Sequence, residues 1–352
     1  MKTDHKTIKK ADSLLVMENR ELTEYSSEIY RRGLKVIKEL EKERIISFPD
    51  PELDAAVRIA AGKPEGDLTD KDLKKIKVLN ASRRNITSLQ GIGRLVSLRE
   101  IYLMGNKITA LDGLEELEGL RVVNLSHNRI SDIKCLGKFK NLRRLYLGRN
   151  QISDLTPLSE LTGLKDLVLS YNTIEDIQAL TGLRQLEELH LSGNKLRELH
   201  GLNRLKKLRI LSLSGNLIRE ISGLIGLKGL EKLWLSKNQI SDLTGLGELK
   251  KLRLLHLAAN QIREIGELAA LSELKDLDLS DNNIEDIRPL AGNLKLNELR
   301  FSKNRVRNIN VLLNLSNLGI VELDRNPVHP NENAAVAHVL TQLARKGCLI
   351  KF

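Results

Sequence analysis

Tyr102, Tyr146, His190 and Trp234 stand 44 residues apart in a chain of 352 residues. Two phenols, an imidazole and the single indole offer flat π faces and hydrogen-bonding edges. Such groups recognise a partner; they do not by themselves make or break bonds. Patterns that would carry catalysis are absent. The sequence has no G-x-x-x-x-G-K-[ST] phosphate loop, no H-E-x-x-H zinc helix and no paired C-x-x-C. The expectation is therefore no enzyme, no cofactor and no metal.

The 44-residue interval is twice a shorter one. Asparagine recurs every 22 residues, at Asn106, Asn128, Asn150, Asn172, Asn194, Asn216, Asn238, Asn260, Asn282, Asn304 and Asn326. A fixed period of this length predicts a solenoid, whose turns share one continuous core. In one copy Leu142, Leu145 and Leu147 precede Asn150, and Ile152 and Leu155 follow it. The alternation around Leu145 and Leu147 predicts a short strand with leucines inward. The asparagine closes the strand, and its amide can bond free backbone groups of neighbouring turns. Leu155, Leu158 and Leu161 are three apart, which suits a tight 3₁₀ turn. The fold class is an α/β solenoid.

This pattern is that of the leucine-rich repeat, and it covers residues 76–328. The 22-residue length resembles the subclass found in bacterial internalins and in the leucine-rich-repeat regulatory subunit of protein phosphatase type 1. The resemblance implies a right-handed horseshoe or arc. Its concave face would be a parallel β-sheet, with short 3₁₀ turns on the convex side and helical caps at both ends. It also implies a protein-binding scaffold, or a regulatory subunit of an enzyme such as a phosphatase. Ile76, Leu79, Ala81 and Ile86 outline one further turn with Arg84 in the asparagine slot, giving about twelve turns. Residues 48–75, from Phe48-Pro49-Asp50-Pro51 to Gly66-Asp67-Leu68-Thr69, resemble the helical cap of internalins. Pro51–Ala61 is expected as a helix ending at Gly62, and Thr69 as the N-cap of a second. Residues 329–352 form the rear cap, with a helix over Asn331–Lys346 and a strand over Cys348–Phe352. Residues 1–47 form an N-terminal extension in which Leu22, Tyr25, Ile29, Val36 and Leu40 fall near helical spacing. It extends the cap, or docks a partner or a second copy of a chain that is otherwise a monomer.

The period also names the residues that face a partner. Four residues before each asparagine lies an outward strand position. Its twelve slots would hold about 0.3 of the chain's ten Phe, Trp and Tyr by chance, and they hold Tyr102, Tyr146 and Trp234. His190 and His256 occupy the same column, three turns apart, roughly 14 Å by strand spacing and too far to share a metal. Arg144, Lys232, Asp166 and Glu188 stand six residues before their asparagines, and Tyr171 and Arg149 one before. The expected partner-binding set is Tyr102, Arg144, Tyr146, Tyr171, His190, Lys232, Trp234 and His256. Asp276, Asp278, Asp281, Glu298 and Glu322 make the C-terminal end of this face more acidic, relieved by Arg300 and Lys303.

Two charged columns complete the pattern. Lys77, Arg99, Arg121, Arg143, Lys165, Arg209, Arg253 and Lys275 stand seven residues before the asparagine position. They are a solvated edge, or a track for nucleic acid or an anionic surface. Asp132, Asp154, Asp176, Glu198, Glu220, Asp242, Glu264 and Asp286 stand four after it and are expected to cap the following turn. The net charge of +11 permits an anionic partner without demanding one. No run of 18 apolar residues predicts a membrane-inserted helix, and no secretory signal is evident. With only Cys135 and Cys348, far apart along a rod, the expected compartment is the reducing cytoplasm.

Overall fold

The computed structural model describes residues 27–28, 30–35, 46–331 and 333–352. The five apolar positions of the N-terminal extension, Leu22 to Leu40, lie outside the described residues.

From Val78 onward the chain forms one parallel sheet of thirteen strands in sequence order. Each strand has three residues, as in β1 (Val78–Asn80) and β2 (Glu100–Tyr102). Every repeat strand pairs with the residue 22 positions on, so Leu79 faces Ile101 and Asn80 faces Tyr102. Only the middle residue of each strand is forced inward. Leu145, Leu167, Leu189 and Leu211 are fully buried, one per turn. Behind the sheet, short 3₁₀ turns carry a second set of buried leucines, such as Leu158, Leu180 and Leu202. Burial of each such side chain stabilises the stack by about 1.5–3 kcal/mol.

Every repeat asparagine makes the same bonds. Asn194 Nδ2 donates to the carbonyls of Leu191 in its own turn (2.9 Å) and Leu169 in the preceding one (3.1 Å). Its Oδ1 accepts the backbone N–H of Ile174 at 3.1 Å. One side chain thus satisfies three buried backbone groups across two turns, which explains why the amide cannot be exchanged for a leucine. At the first turn Arg84 makes no such rung. Its backbone N–H donates to Asn106 Oδ1 at 3.0 Å, and its guanidinium points to Glu52 of the cap, 3.9 Å away.

The residue before each asparagine adopts the left-handed conformation, glycine or not. Tyr171 has φ 59° and Ala259 φ 56°. The turn that brings the amide inward needs this backbone, and it swings the preceding side chain to the rim of the sheet.

Helix α1 (Pro51–Ala61) is capped by Asp50, whose Oδ1 accepts from the backbone N–H of Glu52 and Leu53. Its Oδ2 accepts from Thr87 N (2.8 Å) and Ser88 N (3.2 Å), tying the helix to the first turn. Burial works against the charged form of Asp50, but these backbone donors outweigh it and hold the carboxyl low. The short α2 (Asp70–Leu73) follows, with Thr69 N donating to Asp72 at 3.1 Å. At the other end α3 spans Ala334–Arg345, capped by Asn333. It starts three residues later than the sequence suggests, because Asn333 supplies the cap, its side chain accepting from Ala335 N and Val336 N. The strand Leu349–Lys351 then extends the sheet beside Ile320–Glu322.

Candidate functional site

The outward residues of the strands form rows, because parallel in-register pairing stacks like positions. One row reads Tyr102, Asn124, Tyr146, Val168, His190, Ser212, Trp234 and His256. All eight are half-buried. At strand spacing the row runs roughly 34 Å from Tyr102 to His256. Seven of the eight expected partner-binding residues lie on strands: Tyr102, Arg144, Tyr146, His190, Lys232, Trp234 and His256. Tyr171 does not. It sits past its strand at the rim, 53% exposed. The Arg149 guanidinium covers its ring at 4.3 Å. Its other neighbour is Gly193, where an added Cβ would come within 2.6 Å of the ring.

Trp234 and His256 meet edge to face, with ring centroids 6.3 Å apart. The Tyr102 hydroxyl donates to Glu100 at 2.7 Å, a bond that raises its pKa; burial raises that of Tyr146. Both phenols are therefore neutral donors at physiological pH. Burial lowers the pKa of His190 even though Glu188, 3.9 Å away, pulls the other way. Asp166 and Glu188 face each other in register. Burial first, and then Glu188, raise the Asp166 pKa against the opposing Arg144.

At the acidic C-terminal end Arg300 stands among the carboxylates. Asp276 Oδ1 accepts Arg300 Nη1 at 2.8 Å and its Oδ2 lies 3.3 Å from His256 Nε2. Burial opposes its ionisation, but His256 and Arg300 outweigh that and lower its pKa. Arg300 also pairs with Glu298, and Lys351 with Glu322 at 2.7 Å. The carboxylates there are largely answered by cations of the same face. Asp281 stands at the rim rather than on the strand.

Two residues belong to this surface that the sequence reading passed over. Ile210 and Leu254 flank Lys232 in register, half-buried and outward, beside Trp234. Their signal was available: an apolar residue six before the asparagine faces out. They put apolar surface on the same face as Trp234, in the neighbouring column.

The eight-residue acidic column divides by length. Asp132, Asp154, Asp176, Asp242 and Asp286 each accept the backbone N–H two residues on, at 2.8–2.9 Å. The three glutamates make no such bond among the described residues. Their extra methylene carries the carboxylate past the amide, and Glu198 instead meets His200 at 2.8 Å. In the basic column, Glu187 and Glu231 interrupt the series and pair with Lys165 (2.7 Å) and Arg209 (3.0 Å).

Among the described residues no group of three His, Cys, Asp or Glu could hold a metal, and no helix is long and apolar enough to cross a membrane. Both cysteines are free. Burial pushes the Cys135 thiol up to about 12, which leaves it unreactive.

Two family models match. Leucine Rich repeats (2 copies) covers residues 118–160, 206–248 and 250–292, and Leucine rich repeat covers 153–196. No curated protein matches the chain. Among solved structures, an internalin (inlF) of Listeria monocytogenes superposes with TM-score 0.75 at 29% identity. The match covers 87% of this chain and 96% of that one. A leucine-rich repeat protein of Leptospira interrogans gives 0.59 at 26%, over 80% and 86%. The functional domain of InlJ from Listeria monocytogenes shares the fold, with TM-score 0.73 at 24% identity over 79% of this chain and 60% of its own. It is described as including a cysteine ladder; here the rungs are asparagine. Repeat, sheet and neighbours agree: the chain is a leucine-rich repeat protein that resembles the bacterial internalins.

Proposed function

We propose that the chain is a non-catalytic scaffold whose concave face binds a protein. Leucine-rich repeat proteins of the internalin type are protein-interaction domains, and this supports the class of function. The observation that carries the finer reading is the cluster around Trp234. An indole half-exposed on a strand adds nothing to the leucine core, yet it meets His256 edge to face, with Ile210 and Leu254 outward in the adjacent column. Aromatics fixed in this way bind at low entropic cost and are common interface anchors. Tyr146, His190 and Tyr102 continue the row, Arg144 and Lys232 add charge contacts, and Tyr171 stands at the rim. Residues 48–75 and 329–352 close the ends of the stack. The chain acts in the cytoplasm on this reading, its two thiols remaining unpaired.

Trp234→Ala tests the proposal. The protein should keep its unfolding midpoint within about 0.5 kcal/mol, because the side chain lies outside the core. Its affinity for the partner recovered by the wild-type chain should fall by about 2 kcal/mol, roughly 30-fold. Affinity purification with mass spectrometry, wild type against variant, reads the difference. Equal recovery of the same partners would remove the concave face from consideration.

A further inference from the structure

The flank where each strand begins carries a charge excess that the concave site does not use. At the positions ten, nine and seven residues before Arg84 and each repeat asparagine stand eighteen Lys and Arg against four Glu. That excess exceeds the net charge of the whole chain, +11. Four of the eighteen cations meet a carboxylate among the described residues, as in Lys165 with Glu187 (2.7 Å) and Lys295 with Glu273 (2.6 Å). The unpaired cations are densest on three successive turns. Lys206, Lys207, Lys228, Lys250, Lys251 and Arg253 are all exposed. None has a carboxylate within 4.0 Å among the described residues. Lys206 and Lys207 reach only neutral acceptors, the Gly226 carbonyl and the Gln185 amide.

Six unanswered cations on adjacent turns fill a patch about 10 Å on a side at strand spacing. Like charges so close repel one another, and a polyanion relieves that repulsion. Its form follows from what the patch lacks. No aromatic stands in these columns on these turns, so nothing stacks an unpaired base. Among the described residues no helix or ribbon projects there to enter a duplex groove. Five of the six are lysines, hydrated point charges without the fork that reads one phosphate bidentately. Such an array senses charge density rather than shape, as a planar anionic surface presents it. We infer that this flank docks the chain on an anionic lipid bilayer by electrostatics alone, leaving the concave face free. The inference is independent of the partner proposed for that face.

The test uses the full chain and extruded vesicles of phosphatidylcholine, with and without about 30% phosphatidylserine. Co-sedimentation should require phosphatidylserine and should weaken sharply between about 0.1 M and about 0.5 M salt. Each lysine near such a surface contributes roughly fivefold, so Lys206→Glu, Lys228→Glu and Lys250→Glu together should lower binding by about 100-fold or more. All three side chains are exposed, and an unchanged circular dichroism spectrum will show that the fold is kept. Trp234→Ala should bind vesicles as the wild type does. The inference is overturned if phosphatidylserine makes no difference at low salt, or if the triple variant binds normally. It is overturned equally if Trp234→Ala weakens binding as much as the triple variant, or if a DNA duplex holds the chain more tightly than the vesicles at the same salt.

Discussion

At the residue scale the left-handed position before each asparagine separates two costs that usually come together. Gly215 has φ 69°, and an added Cβ would meet only ordinary contacts, the nearest at 3.6 Å. Gly215→Ala should therefore lose only the backbone preference, about 1 kcal/mol. Gly193 has the same φ, 69°, but there the Cβ would collide with the Tyr171 ring at 2.6 Å. Gly193→Ala should cost about 1 kcal/mol more than Gly215→Ala, and it should release Tyr171 from Arg149. Chemical denaturation and tyrosine fluorescence together distinguish the pair. Asn293 poses the opposite case. It occupies a leucine slot of the core, equivalent to Leu271 one turn earlier, and is fully buried with Oδ1 unpartnered. Its Nδ2 reaches the carbonyls of Leu268 and Leu271, which already accept the N–H of Leu271 and Leu274. Asn293→Leu should raise stability by about 1 kcal/mol, since an unsatisfied amide oxygen is replaced by apolar surface. A lowered unfolding midpoint would mean that the amide serves this turn in another way.

At the scale of the element, each turn is a three-residue strand, an asparagine corner and a 3₁₀ turn, and the capping column tests how the corner ends. Asp154 Oδ1 accepts Thr156 N at 2.8 Å, whereas Glu198 makes no equivalent bond among the described residues. Asp154→Ala should cost about 1 kcal/mol and Glu198→Ala close to nothing. Equal effects in denaturant titrations would show that charge, not the bond, matters there. The contrast also marks what could be read in advance. Strand positions, burial of the middle residue and α1 followed from period and capping chemistry, since each depends on residues close in sequence. Charge pairing did not. The Arg300 bridge to Asp276 spans one turn, and its geometry depends on rotamers that no spacing rule fixes. Ile210 and Leu254 went unnoticed for another reason: apolar residues in a leucine-rich strand look like core until the alternation is applied to every column. The aromatic row was legible as a row, but the edge-on contact of Trp234 with His256 was not, because it depends on two side-chain torsions.

For the molecule as a whole, nearest-neighbour stacking makes length adjustable. A solenoid's stability is approximately a sum over turns and their interfaces, so removing one whole repeat should leave a folded, shorter protein. Deleting residues 195–216 joins Asn194 to Leu217 in phase and removes Ser212 from the row. Trp234 then lies three strand steps from Tyr146 instead of four, roughly 14 Å rather than 19 Å. A partner that engages both anchors rigidly cannot follow that shift, so affinity should fall at least tenfold, about 1.4 kcal/mol. Deleting residues 305–326 also removes one turn but leaves Tyr102 to His256 in place, and should bind as the intact chain does. Both deletions should unfold cooperatively at somewhat lower denaturant, because each loses one turn of buried leucine. Binding measured on the pair therefore separates the spacing of the anchors from the length of the stack. If the two deletions bind alike, the row is not read as a unit, and a single cluster such as Trp234 with Ile210, Leu254 and His256 carries the contact.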